Sequence, residues 1–207
     1  KKKEVNALLS AVKWEYEENG AKLLAHLEKI VQYNVQSTEK EKFDGVMLDI
    51  EPYISDSWKE NPEEYMDRYI SCMKKGYKFA QKNHLRTAIC IPRHYDNQGL
   101  TSGLEELIKE TCDEVAVMNY SCGNEIEAIR TEAALSEKYG KELHCILEFQ
   151  EVGKHGLTEN KTYRNKGIDN AKETWEKLQK EYKNINVTRD YHWSRPVREM
   201  LEEKNAD

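Results

Sequence analysis

Short apolar runs alternate along the chain with longer stretches in which apolar residues recur at helical spacing. This is the pattern of parallel strands joined by crossover helices. Strands are expected from Val5 to Leu9, Gly45 to Glu51, Arg86 to Ile91, Glu114 to Tyr120, Leu143 to Phe149 and Ile185 to Tyr191. The clearest helix start is Asn61-Pro62-Glu63-Glu64. There Asn can cap, Pro suits the first helical position and the acids favour the positive end of the dipole, so a long helix should run to about Asn83. A second helix should run from near Asn124 to Tyr139 and stop at Gly140, a residue that takes the left-handed closing conformation at no steric cost. Further helices are expected from Ala21 to Gln36, Leu104 to Thr111, Ile168 to Tyr182, and after Pro196.

This order gives an α/β fold of six β/α units in one domain, 1–207. A closed (β/α)8 TIM-type barrel typically needs roughly 250 residues, so the reading is a barrel truncated at its N-terminus, with one or two units upstream of Lys1. The rival, an open doubly wound sheet, usually carries a glycine-rich phosphate turn after an early strand, and none is present.

Composition narrows the partners. The formal net charge of -6 comes from acids and bases mixed throughout, so no basic stripe could track a phosphate backbone and no nucleic-acid partner is expected. No apolar run approaches the ~20 residues of a membrane span, so no membrane partner is expected. Lys1-Lys2-Lys3 is not followed by a signal-peptide core, yet Lys1 need not be the natural start. The protein would be exported or at the cell surface if a targeting segment had been removed, and cytoplasmic otherwise. The five cysteines, Cys72, Cys90, Cys112, Cys122 and Cys145, are widely spaced and odd in number. They read as buried free thiols rather than metal ligands, and no cofactor is implied.

The chemistry concentrates in Phe43-Asp44-Gly45-Val46-Met47-Leu48-Asp49-Ile50-Glu51-Pro52-Tyr53. Alternation sends Val46, Leu48 and Ile50 to one face of the strand and Gly45, Met47, Asp49 and Glu51 to the other. In a barrel the second set would point inward at the C-terminal rim, where active sites of that fold lie. Two adjacent carboxyls do not ionise independently, and one shifts toward its neutral form, as a general acid requires. Glu51, the outermost, is the candidate acid, and Asp49 would tune it. The competing reading is that both simply pair with basic residues of neighbouring loops.

Asp44-Gly45-x-x-x-Asp49-x-Glu51 resembles the chitinase-type glycoside hydrolase family 18 motif, in which Asp-Gly leads to spaced acids ending in the catalytic glutamate. The resemblance implies that Asp49 orients the substrate acetamido group and that Glu51 donates the proton. Val117-Met118-Asn119-Tyr120 is similar to the Met-x-Tyr strand end of that family, which implies that Tyr120 holds the reacting sugar. Met47 and Ser121 stand where the family has aspartates, which motivates a rival: a glycan-binding or scaffold barrel without catalysis. Together with the Glu-Pro-Tyr ending and Cys145-Ile146-Leu147-Glu148, these segments also resemble a group of bacterial barrel proteins related to glycosidases. A third resemblance is to the retaining clan with Asn-Glu-Pro on strand four. It implies Glu51 as acid and Glu148 as nucleophile about 5 Å apart, with Ile50 in place of the asparagine.

Other residues at strand ends are candidate sugar contacts: Tyr53, Arg93 and His94, and His192 with Trp193, whose indole offers a flat apolar face to a sugar ring. Trp14 and Trp58 could act similarly, and 150–166 reads as a mobile loop over the same mouth. A metal-dependent hydrolase using Asp49, Glu51 and His192 is the weakest reading, since they form no compact ligand motif. His144 and His155 read as ordinary residues.

Overall fold

The computed structural model describes residues 3–13 and 20–206, with side chains through Glu203. Trp14 lies outside the described residues. Six strands, β1 (Asn6–Ala11), β2 (Gly45–Ile50), β3 (Arg86–Pro92), β4 (Glu114–Met118), β5 (Glu142–Glu148) and β6 (Val187–His192), are ordered β1-β2-β3-β4-β5-β6. They alternate with helices α1 (Ala21–Gln36), α2 (Asp56–Glu60), α3 (Pro62–Lys82), α4 (Thr101–Thr111), α5 (Arg130–Tyr139), α6 (Ile168–Glu181) and α7 (Ser194–Ala206). The chain is thus an α/β protein of six parallel strands alternating with helices. Every strand expected from the sequence is present, with ends displaced by at most two residues.

Contacts group the chain into two compact units: Lys1–Ile91 with Tyr95–Val115, and Pro92–His94 with Ala116–Asp207. In the first, β2 pairs in parallel with β1 and β3, setting Gly45 beside Asn6 on one side and Arg86 on the other. A Cβ on Gly45 would stand 2.5 Å from the Arg86 carbonyl oxygen and 2.7 Å from Asn6 Oδ1, so only glycine fits between these strands. The core is built from Val46, Leu48 and Ile50 of β2 together with Leu23 and Leu27 of α1, Tyr69 and Met73 of α3, and Leu104 and Leu107 of α4, all buried. Aspartates clip the starts of these strands. Asp44 Oδ2 accepts from Val5 N at 3.0 Å while Asp44 N donates back to Val5 O at 2.8 Å. Asp113 Oδ2 accepts from Thr87 N at 2.9 Å, and Asp113 N donates to Thr87 O at 2.9 Å.

In the second unit β5 and β6 pair in parallel, with Glu148 beside His192. Leu143, Cys145 and Leu147 of β5 pack with Trp175 and Leu178 of α6 in a buried core, and the Trp175 indole N–H donates to Cys145 O at 2.9 Å. The Gln179 side chain ties α6 to the start of β6, accepting from Val187 N at 3.0 Å and donating to Ile185 O at 2.9 Å.

Several local expectations are corrected. Asn61 makes no cap with its side chain, which instead donates to Glu64 Oε2 at 2.8 Å; Pro62 and the first-turn acids Glu63 and Glu64 stand where expected. The helix expected from Asn124 begins at Arg130, after a 3-10 turn at Glu127–Ile129. The carbonyls of Glu125 and Ile126 accept from the side chains of Asn119 (2.9 Å) and Tyr182 (2.6 Å), and Ile126 O also takes the Ile129 amide at 3.4 Å in the 3-10 turn. Its far end is as expected, with Gly140 at φ 63°. The last helix starts at Ser194, so Pro196 lies within its first turn, where no amide donor is missed. All five cysteines are free thiols, four of them buried and Cys122 partly so.

Candidate functional site

In the first unit the alternation of β2 sorts its side chains as the sequence implies. Val46, Leu48 and Ile50 are buried, whereas Met47, Asp49 and Glu51 are half-buried on the other face. Asp49 sits beside Ser10 of β1, and Glu51 extends the pairing by donating its N–H to Ala11 O at 2.8 Å. Directly after Glu51 the chain turns through a 3-10 segment, Pro52–Ile54, which folds Tyr53 back so that its hydroxyl donates to Glu51 Oε1. Burial, and then the hydrogen bond to Glu51, push the Tyr53 phenol far above its usual range, so it stays protonated and remains the donor. Behind it stands a buried aromatic wall: Tyr53 meets Tyr95 edge-on at 6.1 Å between centroids, and Trp58 lies 5.5 Å from Tyr95.

Trp58 is therefore not a surface platform for a sugar. It is 3% exposed within α2, a helix capped by Ser55 Oγ accepting from Trp58 N at 3.2 Å. Five residues are too few to show helical periodicity, which is why the sequence reads as a loop there.

In the second unit the structure brings together Tyr120, Glu148, His192 and a residue that sequence reasoning missed, Gln150. Glu148 ends β5 and is 2% exposed. Its Oε1 accepts from the amides of Phe149 and Gln150, both at 2.8 Å, and its Oε2 accepts from Gln150 Nε2 at 3.2 Å and pairs with His192 Nδ1 at 2.8 Å. Burial alone would raise the Glu148 pKa, but the bonds from His192 and Gln150 outweigh it and hold the carboxyl below its usual range. An ionised carboxylate only accepts, so His192 Nδ1 carries the proton in this pair. The His192 ring packs on Tyr120 at 5.8 Å. The signal that could have found Gln150 is its place two residues after a strand-ending acid, a spacing that lets the carboxylate accept the backbone N–H.

Trp193 follows His192 through a cis peptide bond and is 45% exposed. Arg93 and His94 are half-buried in the turn after β3. The 150–166 segment is tied down at its base: Thr162 Oγ1 donates to Gln150 O at 2.7 Å and Tyr163 N to Glu148 O at 2.8 Å, with both residues buried. His144 pairs with Asp190 at 3.0 Å. Among the described residues no group of three or more His, Cys, Asp or Glu side chains could hold a metal ion, and no helix is long and apolar enough to cross a membrane.

No protein-family model matches the chain, and no curated protein does. Similar solved structures come from glycoside hydrolases. One is a mutant catalytic domain 2 of the Group II chitinase of Ostrinia furnacalis, in complex with penta-N-acetylchitooctaose. It shows 15% identity and a TM-score of 0.43 over 70% of this chain and 45% of that one. Another is the PgaB (BpsB) glycoside hydrolase domain of Bordetella bronchiseptica, with 11% identity and a TM-score of 0.45 over 97% of this chain and 55% of that one. The chain spans about half the length of these structures.

Proposed function

We propose that the chain is a carbohydrate-active barrel and a glycoside hydrolase in which Glu51 is the general acid. The observation that carries this reading is the pair Asp49 and Glu51 on one half-buried face at the C-terminal end of β2, with Glu51 held by the Tyr53 hydroxyl. Tyr53 engages Oε1, which fixes the carboxyl rotamer and leaves Oε2 as the atom to deliver a proton to a glycosidic oxygen. Asp49, two residues back on the same face, tunes that proton and orients a substrate acetamido group, as the family 18-like motif implies. Tyr120 holds a sugar hydroxyl on the strength of the Met-x-Tyr resemblance.

Glu148 receives a positioning role rather than that of a nucleophile. Four hydrogen bonds use its accepting capacity and 98% of its surface is covered, so attack on an anomeric carbon would require dismantling that network. The test is Glu51→Gln assayed on chitooligosaccharides. Release of reducing ends should fall by about 10²-fold or more, with ligand binding retained. Unchanged hydrolysis would remove Glu51 from the mechanism, and binding without turnover in both proteins would favour the non-catalytic barrel.

A further inference from the structure

Within the second unit, a cleft of about 360 Å³ opens beside the Glu148 network, its lining including Gln150, Lys154, Arg164, Trp193, Arg195 and Glu199. Its volume lies in the range of small-ligand sites, roughly 300–1,000 Å³. Trp193 is the most exposed tryptophan among the described residues, since Trp58 and Trp175 are buried, so an indole face is offered to the cleft. Glu148 holds Gln150, which lines the cleft, through its backbone and side-chain N–H groups, and through Nδ1 it holds His192, next to the lining residue Trp193. A platform and an amide locked by one buried anion form a pre-organised site.

The charge of the cleft departs from that of the chain. The whole chain carries a net charge of -6, yet three cations face the cleft, Lys154, Arg164 and Arg195, against two carboxylates, Glu151 and Glu199. Arg195 is neutralised by Glu199 at 2.9 Å and Arg164 by Glu203 at 2.7 Å. Lys154 has no ion-pair partner among the described residues. An apolar platform and an uncommitted ammonium lining one cleft match a ring that is both polyhydroxylated and acidic.

We propose that this cleft binds sugars bearing a carboxylate, with Trp193 stacking on the ring and Lys154 pairing with the acid. The inference rests on the carbohydrate reading above and adds the substrate class, uronate-containing glycans. Arg164 and Gln150 supply the remaining donor and acceptor groups for ring hydroxyls, and Glu148 acts through Gln150 and His192 as a positioning residue.

The test is tryptophan-fluorescence titration of the full chain with oligogalacturonate, with its methyl ester and with glucose 6-phosphate. Oligogalacturonate should bind, and methyl esterification should weaken it roughly fivefold at low salt. Lys154→Ala should weaken the free acid by about the same factor and abolish the discrimination between acid and ester. Trp193→Ala, checked for folding by far-UV circular dichroism, should lose about tenfold or more. Equal binding of acid and ester would overturn the carboxylate preference, and binding of glucose 6-phosphate alone would do the same. Glu51-dependent hydrolysis of neutral chitooligosaccharides with no uronate binding would sink this inference while leaving the hydrolase reading intact. Uronate binding by a protein that hydrolyses no glycan would sink the hydrolase reading and leave the cleft standing.

Discussion

Replacing Glu148 by Gln isolates the buried anion that organises the second unit. The amide keeps an oxygen for the backbone N–H groups of Phe149 and Gln150, at 2.8 Å each, but presents an NH₂ where Oε2 had accepted from Gln150 Nε2 at 3.2 Å and His192 Nδ1 at 2.8 Å. Donor then faces donor. The imidazole can recover by moving its proton to Nε2 and the Gln150 amide by turning its oxygen toward the new NH₂, so all four bonds can persist but each is downgraded from a charged to a neutral partner. Bonds to charged groups are worth about 1.5–3 kcal/mol each, and relief from burying a charge returns part of this, leaving a loss of roughly 2–3 kcal/mol. For a chain of this size the melting temperature should fall by roughly 4–10 °C at pH 7, measured by circular dichroism. The pH dependence carries the sharper information. The folded pKa of Glu148 is depressed, so its contribution is fully present above the unfolded carboxyl value of about 4.3 and drains away as pH falls through the folded value. The gap between wild type and variant should therefore close in acid. A gap of equal size at pH 7 and well below pH 4 would mean the variant acts through packing, and no gap at pH 7 would refute the anionic network.

Three further outcomes follow from the geometry. Gly45→Ala places a methyl 2.5 Å from the Arg86 carbonyl oxygen, so urea denaturation should show a loss of about 3–5 kcal/mol, and wild-type stability would disprove the close strand approach. Trp58→Ala removes a buried indole from the Tyr95 wall and should cost about 3–5 kcal/mol by the same method, with uronate titrations unaltered. The Cys122 thiol is pushed up to about 11 by burial, with Glu125 adding to the effect. Its labelling by iodoacetamide at pH 8 should therefore run on the order of 100-fold slower than that of a free cysteine and accelerate with each pH unit toward 11; a rate like that of free cysteine would contradict the burial.

The sequence is most readable where a strict period constrains it. On β2 every second residue must be buried, so the faces of Val46, Leu48 and Ile50 and of Asp49 and Glu51 follow from spacing alone. The 16 residues of α1 match their expected span because a long apolar stripe must face the core. What was illegible depends on partners distant in sequence or on elements too short to be periodic. Trp58 is buried by Tyr95, 37 positions on, inside a five-residue helix. The Glu148 carboxylate takes its remaining partner from His192, 44 positions away, so the local spacing to Gln150 shows only part of how it is engaged. The hydroxyl of Tyr53 reaches Glu51 only because a 3-10 turn reverses the chain between them, and that turn has no signature beyond Pro52.

The aspartate clips at the strand starts bear on how such chains are recognised. Asp44 opens the motif that likens this chain to family 18, yet its carboxylate is spent on the amide of Val5, and Gly45 is required by the neighbouring backbones. Asp113 makes the same two bonds to Thr87 ahead of β4, where no catalytic motif stands. The first two letters of the motif are thus alignment marks that set strand register, demanded by assembly whatever the protein does. Only the later letters, Asp49 and Glu51, are free to record chemistry, and a search that weights all four equally counts scaffolding as if it were function.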